Sequence, residues 1–246
     1  MPVHYAGHPC DMAAIDAIAA EFGLAIVEDA AHSLPATVDG RMIGDPTAPD
    51  GVVRATAFSF YATKNMTTAE GGMLTGSPEL LERARVLHLH GMSKDAVRRY
   101  EKGGTWRYDI LAPGFKYNMT DVQSAMGRVQ LRRLDEMHRR RLELVANYDA
   151  MIADLPELQP LAVRPGVDSA HHIYVVRLDP HRLSITRDEF ITKLDAAGVS
   201  TSVHFIPIHV HPFYRDKYGY QPEDFPVAWR AFQHMVSLPL FARMTD

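Results

Sequence analysis

Short, unbroken apolar runs that alternate with helical stretches constrain this chain most. Leu24-Ala25-Ile26-Val27, Ala55-Thr56-Ala57-Phe58-Ser59-Phe60 and Gly72-Met73-Leu74-Thr75 are each too short for a typical helix. They also lack the strict alternation of a strand with one wet face, so they suit strands buried on both sides, as in a parallel sheet. Residues 2–5 read as the end of an earlier strand. Asp11 is placed to cap a helix over residues 12–22, with Gly23 just past its end. Ser77 is placed to cap another through about Leu89. Such alternation predicts an α/β layer fold with a mostly parallel sheet, which binds ligands at the carboxyl ends of its strands.

From Thr120 to about Leu155 runs one helical pattern with no Gly or Pro after Gly127, closed by Pro156 and Pro160. Unbroken, it would reach roughly 50 Å, enough to join two domains. Residues 172–178 then read as a strand. Thr186 and Glu189 form a capping box that opens a helix to Ala197, and residues 199–205 read as a further strand. The expected organisation is a large domain over residues 1–150, including the long helix, and a small α+β domain over 151–246.

Composition narrows the function. Of 246 residues, 46% are hydrophobic and 23% charged, the balance of an ordinary globular protein. The net charge of −4 argues against nucleic acid or an anionic membrane as the main partner. Arg132-Arg133 and Arg139-Arg140-Arg141 are interleaved with Asp135, Glu136 and Glu143, which makes an ion-paired helix face. Cys10 is the single cysteine, so no internal disulfide forms. With no basic-then-apolar leader and no apolar run near the ~20 residues of a membrane helix, a cytoplasmic protein is expected. His204, His209 and His211 cluster, but their spacing matches no familiar ligand pair and Asp216 completes no set, so no metal site is expected.

The chemistry concentrates at two strand ends. In Ser59-Phe60-Tyr61-Ala62-Thr63-Lys64-Asn65-Met66-Thr67-Thr68-Ala69-Glu70-Gly71-Gly72, a strand delivers a lysine into a loop rich in hydroxyls and closed by paired glycines. A lysine forms a Schiff base only when its amine is often neutral, which burial or a cationic neighbour promotes. Ser59, Thr63, Thr67 and Thr68 are potential donors to a phosphate. Alone, this stretch also fits an exposed loop lysine beside turn glycines. Asp29 ends the earlier run in Glu28-Asp29-Ala30-Ala31-His32. Pyridoxal phosphate requires such an acid opposite its ring nitrogen.

Those two segments, with Gly114-Phe115-Lys116-Tyr117-Asn118-Met119-Thr120-Asp121, Val203-His204-Phe205 and Ser237-Leu238-Pro239-Leu240-Phe241, resemble the DegT/DnrJ/StrS family of sugar aminotransferases. The nearest likeness is to its 4-amino-4-deoxy-arabinose branch. The resemblance implies a type I, aspartate-aminotransferase-like fold that binds pyridoxal 5'-phosphate and works as a homodimer. It implies a nucleotide-linked keto-sugar as substrate and glutamate as default amino donor. By the same resemblance Lys64 carries the cofactor and moves a proton, Asp29 pairs with the ring nitrogen, and His32 lies against the ring or its 3′ oxygen. Ser59 holds the phosphate, and Asn118 reaches the phosphate of the partner subunit's cofactor. Asn118 also stands where it could cap the long helix. His204 and His209 become candidates for lining the sugar pocket.

The chain departs from the family pattern in two ways. Ala69 stands where the family usually has glycine. Family chains also begin well upstream and carry a final helix, so the chain is expected to be a truncated form, catalytically weak alone. A non-catalytic remnant and a sugar dehydratase are the alternatives. Lys64 argues against the second, because such relatives carry histidine in its place.

Overall fold

The computed structural model describes residues 1–93 and 107–245. The chain divides into two compact units, Met1–Leu134 with Gly166–Ala170, and Asp135–Pro165 with His171–Asp246. Its strands are β1 (Ile26–Asp29), β2 (Thr37–Val38), β3 (Arg41–Met42), β4 (Arg54–Ser59) and β5 (Gly72–Gly76), then β6 (Leu158–Pro160), β7 (Val167–Asp168), β8 (Tyr174–Leu178) and β9 (Met235–Leu238). Its helices include α1 (Met12–Phe22), α2 (Pro78–Leu87), α3 (Asp121–Arg132) and α4 (Leu134–Ile152), followed by α5 (Arg187–Ala196), α6 (Pro212–Tyr218) and α7 (Pro226–His234). Among the described residues no helix is long and apolar enough to cross a membrane.

In the first unit, the side chain of Asp11 accepts from Ala14 N at 3.1 Å to start α1, and Gly23 ends it at φ 61. The main sheet has the order β1-β4-β5. β1 and β4 are parallel, with Asp29 opposite Ala57. β5 runs antiparallel to β4, with Ser59 opposite Gly72. The sheet is therefore mixed: no helix intervenes between β4 and β5, and the loop over residues 60–71 turns the chain straight back. The strand end read at residues 2–5 reduces to a bridge of Val3 with Asp29, followed by a 3₁₀ turn at Tyr5–Gly7.

The run in β4 is buried on both faces where it opens, with adjacent Ala55 and Thr56 7% and 1% exposed, but the run into β1 is buried on one. Ile26 is 4% exposed and Glu28 2%, whereas Val27 is 46%. A short apolar run shows that a strand can be covered, not which face is. Behind β1 lies a polar network. Glu28 accepts from His4 Nε2 at 2.8 Å and from Thr56 Oγ1 at 3.1 Å, and its Oε1 lies 3.3 Å from Arg54 Nε. Arg54 also pairs with Asp16 and donates to Thr47 O at 2.8 Å. His4 Nδ1 accepts from Cys10 N at 3.0 Å, so Nε2 carries the proton that reaches Glu28. Buried charge is tolerable only with such partners.

The long helix expected over residues 120–155 is two helices. The backbone leaves helical geometry at Arg133 (φ −102, ψ 0), whose N–H donates to Gln130 O at 3.0 Å. No Gly or Pro marks the break, because packing of Leu134, 5% exposed beside Phe60 and Met66, overrides local helix propensity there. The two units divide at Leu134 and Asp135, while the boundary read near residue 150 falls inside α4.

The second unit carries the antiparallel sheet β6-β8-β9, against which Val145 and Ile152 of α4 pack with Tyr174, Val176, Leu178 and Val236. Thr186 and Glu189 form the expected capping box at the start of α5. Residues 199–205, read as a strand, hold a single bridge between Ser202 and Ser237. The polar run Ser200-Thr201-Ser202 interrupts the apolar pattern that a longer ladder would bury.

Candidate active site

Asp29 closes β1 and Ser59 closes β4, two residues past Asp29's register partner Ala57. Both side chains therefore belong to one edge of the sheet. The loop over residues 60–71 brings Lys64 to the same edge, and hydrogen bonds hold that loop in shape. Phe60 N donates to Gly71 O at 2.8 Å and Thr68 N to Phe60 O at 2.9 Å. Thr68 Oγ1 donates to Glu70 O at 2.7 Å, and Asn65 Nδ2 to Ala170 O at 2.8 Å. Thr68 and Met66 are buried, so the loop is anchored just after the lysine. Ala69 sits at φ 66, the left-handed region that favours glycine.

Lys64 is partly buried. Burial lowers the pKa of its amine, and the charge of Asp29 opposes that by raising it. The two groups therefore share one electrostatic environment. Asp29 Oδ1 accepts from Ala31 N at 3.0 Å, which holds the carboxylate in place at the strand end. His32 Nδ1 accepts from Ala6 N at 3.3 Å, leaving the proton of the neutral ring on Nε2. Ser59 Oγ accepts from Tyr61 N at 3.3 Å and keeps its own hydroxyl hydrogen to donate.

Asn118 is exposed just before α3, with Nδ2 3.5 Å from Met119 O. It is not the helix cap. Thr120 is, accepting from Gln123 N at 3.3 Å while Gln123 Oε1 accepts from Thr120 N at 2.9 Å. Gln123 Nε2 also donates to Glu70 O at 2.9 Å, tying the start of α3 to the lysine loop.

His204 and His209 belong to the second unit. His204 Nδ1 lies 2.8 Å from Ser237 Oγ, and its ring meets Phe205 edge-on. His209 is 5% exposed, with Nε2 donating to Pro222 O at 3.1 Å and its ring against Phe225.

Sequence reasoning passed over His4, Arg54 and Asn65, and quoted Glu28 only as Asp29's neighbour. A signal existed for Glu28. Consecutive acids in a strand must face opposite sides, so one of Glu28 and Asp29 had to lie behind the sheet and need partners. Chemically, the edge offers an amine whose pKa burial lowers, a carboxylate able to hold a cation, and a hydroxyl donor.

Residues 1–246 match the model of the DegT/DnrJ/EryC1/StrS aminotransferase family. The chain is 46% identical over 248 residues to the spore coat polysaccharide biosynthesis protein SpsC of Bacillus subtilis, covering 100% of this chain and 62% of that protein. Among solved structures, it is similar to Spr1654 from Streptococcus pneumoniae in its PLP-form (TM-score 0.85, 30% identity, 100% of this chain and 64% of that one). It is also similar to the aminotransferase TlmJ from Streptoalloteichus hindustanus (TM-score 0.83, 33% identity, 99% and 60%). The chain thus spans about 62% of the length of the curated relatives it matches. It belongs to the DegT/DnrJ/EryC1/StrS aminotransferase family.

Proposed function

We propose that this chain supplies the lysine-bearing part of a cytoplasmic, pyridoxal-phosphate-dependent aminotransferase acting on a nucleotide-linked keto-sugar, with glutamate as amino donor. The observation that carries the proposal is the meeting of Lys64 and Asp29 at one sheet edge, with burial lowering the amine's pKa against the pull of the carboxylate. These residues fit the cofactor, since an amine meant to bind an aldehyde must shed its proton readily. When bound, pyridoxal phosphate supplies an electron-accepting ring that carries an amino group from donor to acceptor.

Each residue then has a role. Lys64 Nζ holds the cofactor and, when free, takes and returns a proton at the substrate carbon. Asp29 holds a proton on the ring nitrogen, and His32 supports the ring. Ser59 donates to the phosphate. His204 and His209 serve the sugar pocket.

Likeness to a polysaccharide biosynthesis protein supports a sugar as acceptor. A homodimer is supported by the outer face of α3, where Val122, Met126 and Val129 recur at helical spacing and are 73%, 42% and 48% exposed. Asn118 stands just before that face and would reach the partner's cofactor phosphate.

The test is to load the protein with pyridoxal phosphate, reduce with borohydride and map the labelled peptide. Half-reactions with glutamate and a panel of nucleotide keto-sugars then read the donor and acceptor. A label on Lys116, or none, would defeat the assignment.

A further inference from the structure

A short segment ahead of α1 holds both residues assigned to the cofactor ring. Asp29 N donates to Pro2 O at 2.9 Å and His4 N donates to Asp29 O at 3.0 Å, so residues 2–4 engage both polar groups of the Asp29 backbone. Two residues on, Ala6 N donates to His32 Nδ1 at 3.3 Å. An unusual turn aims that amide, with Ala6 at φ 59 and Gly7 at φ 93. A side chain is disfavoured in this left-handed region, and such a turn persists only where its surroundings impose it.

Those surroundings are buried and polar. His4 is fully enclosed, with Nε2 on Glu28 Oε2 at 2.8 Å and Nδ1 accepting from Cys10 N at 3.0 Å. Its carbonyl oxygen accepts from the buried Ser33 Oγ at 3.3 Å. Past the turn, Gly7 O accepts from Ala170 N at 2.9 Å and from Ser169 Oγ at 3.0 Å. Glu28 precedes Asp29 and Ser33 follows His32, so His4 is bonded to the chain neighbour of each ring residue. An apolar side chain could fill the same space but would link residues 2–7 to neither.

We infer that His4 is a positioning residue, which acts through Asp29 and His32 by locking residues 2–7 against the end of β1, so that carboxylate and imidazole keep one geometry toward the ring. The inference rests on the roles proposed above for those two residues.

The test uses the whole chain without cofactor. His4→Asn keeps an acceptor for Cys10 N but is too short to reach Glu28, whereas His4→Gln restores that reach. Thr56→Val is the control, since it takes another hydrogen bond from Glu28 without touching residues 2–7. Nitrogen NMR of labelled lysine and histidine follows the pKa of Lys64, which Asp29 raises, and the tautomer of the neutral His32 ring. In His4→Asn the Lys64 pKa should move at least halfway from the parent's value to that of Asp29→Asn, and His32 should lose its preference for a proton on Nε2. His4→Gln should recover both readouts, and Thr56→Val should match the parent. In the loaded protein His4→Asn should lower turnover by about tenfold to a hundredfold, the scale of a small misplacement of reacting groups. A parent-like value of either readout in His4→Asn, no recovery in His4→Gln, or an equal shift in Thr56→Val overturns the inference. Should His4→Asn not fold, Ser33→Ala, which removes only the bond on His4 O, should shift the two readouts in the same directions, and a match to the parent would overturn it equally. A parent protein that takes no covalent label would instead defeat the role of Lys64, a result distinct from any of these.

Discussion

The carboxylate of Asp29 works against the burial of Lys64: burial pulls the amine's pKa down and Asp29 pulls it up. A fully exposed lysine would stay protonated near neutral pH, and a tightly ion-paired one would be held protonated as well. The half-buried position between these extremes releases its proton more readily than either. That balance also costs stability, which makes it measurable.

Lys64→Met should raise the melting temperature of the cofactor-free protein at pH 7. The sign follows from linkage. The folded-state pKa lies below the ordinary value of 10.5, so the protonated form is favoured in the unfolded chain. Lys64 therefore destabilises the fold below its folded pKa, and the penalty disappears as pH rises past about 10.5. Melting curves at pH 7 and at the highest pH the fold tolerates should show the gain of the Met variant shrinking. Its covalent cofactor link should be lost entirely. A Met variant no more stable than the parent at pH 7 would contradict the stated electrostatics.

Asp29→Asn keeps the shape of the strand end and removes its charge. Without the attraction, the pKa of Lys64 should fall further, which nitrogen NMR of labelled lysine can follow. In the loaded enzyme cofactor should still bind, while turnover falls by roughly a hundredfold or more, in the range ascribed to positioned acid–base groups. An unchanged rate would show that Asp29 does not hold the ring nitrogen.

Much of this site could be read directly from residue order, because a strand end is a local property. The apolar run into Glu28-Asp29 and the run into Ser59 both stop where the charge or hydroxyl begins, and β1 and β4 end there. What escaped depends on contacts distant in sequence. The Glu28 network joins His4, Asp16 and Arg54 through contacts that span up to 38 positions, and no periodicity announces it. The break at Arg133 escaped for the same reason, since the burial of Leu134 beside Phe60 and Met66 is decided outside the helix. Ala69 was visible as a departure in kind, and its φ of 66 gives the departure a physical cost.

Glu28→Ala should destabilise the first unit by about 3–5 kcal/mol, the cost of stranding buried partners of a lost charge. His4 Nε2 and Thr56 Oγ1 would lose their acceptor, and Arg54 would keep only Asp16 and Thr47. Urea denaturation reads the change. A loss below about 1 kcal/mol would mean that the network relaxes or admits water.

Ala69→Gly should stabilise the protein by about 0.5–1 kcal/mol, because a Cβ is disfavoured at φ 66 and glycine relieves it. For a chain of this size that corresponds to roughly 1–4 °C in melting temperature. Turnover should not change, since Ala69 contributes no reacting group. A fall in stability would show that the entropy of the added glycine outweighs the relieved strain.

Both closing glycines of the lysine loop should resist substitution, and Gly72 does so through the sheet. A Cβ on Gly72 would lie 2.6 Å from Phe58 O, a backbone atom of the neighbouring strand. A Cβ on Gly71 would lie 2.3 Å from Oγ1 of the buried Thr68, at a φ of 154 that side chains rarely adopt. Gly72 lies opposite Ser59 in the β4–β5 ladder, so relief of the Gly72→Ala clash must open the sheet where Ser59 is held. Overpacking of this kind costs about 1–3 kcal/mol. The functional effect should exceed what lost stability alone produces. With Ser59 in its proposed role as donor to the phosphate, displacing its hydroxyl should lower cofactor affinity by about tenfold, worth some 1.4 kcal/mol. Turnover per bound cofactor should stay within a few fold, because the clash falls on Phe58 beside Ser59 and on neither Lys64 nor Asp29. Met73→Ala is the control, since Met73 is 54% exposed and its loss disturbs no backbone. Spectroscopic titration of all three proteins with pyridoxal phosphate decides the matter. Affinity of Gly72→Ala equal to that of Met73→Ala would remove Ser59 from the phosphate site.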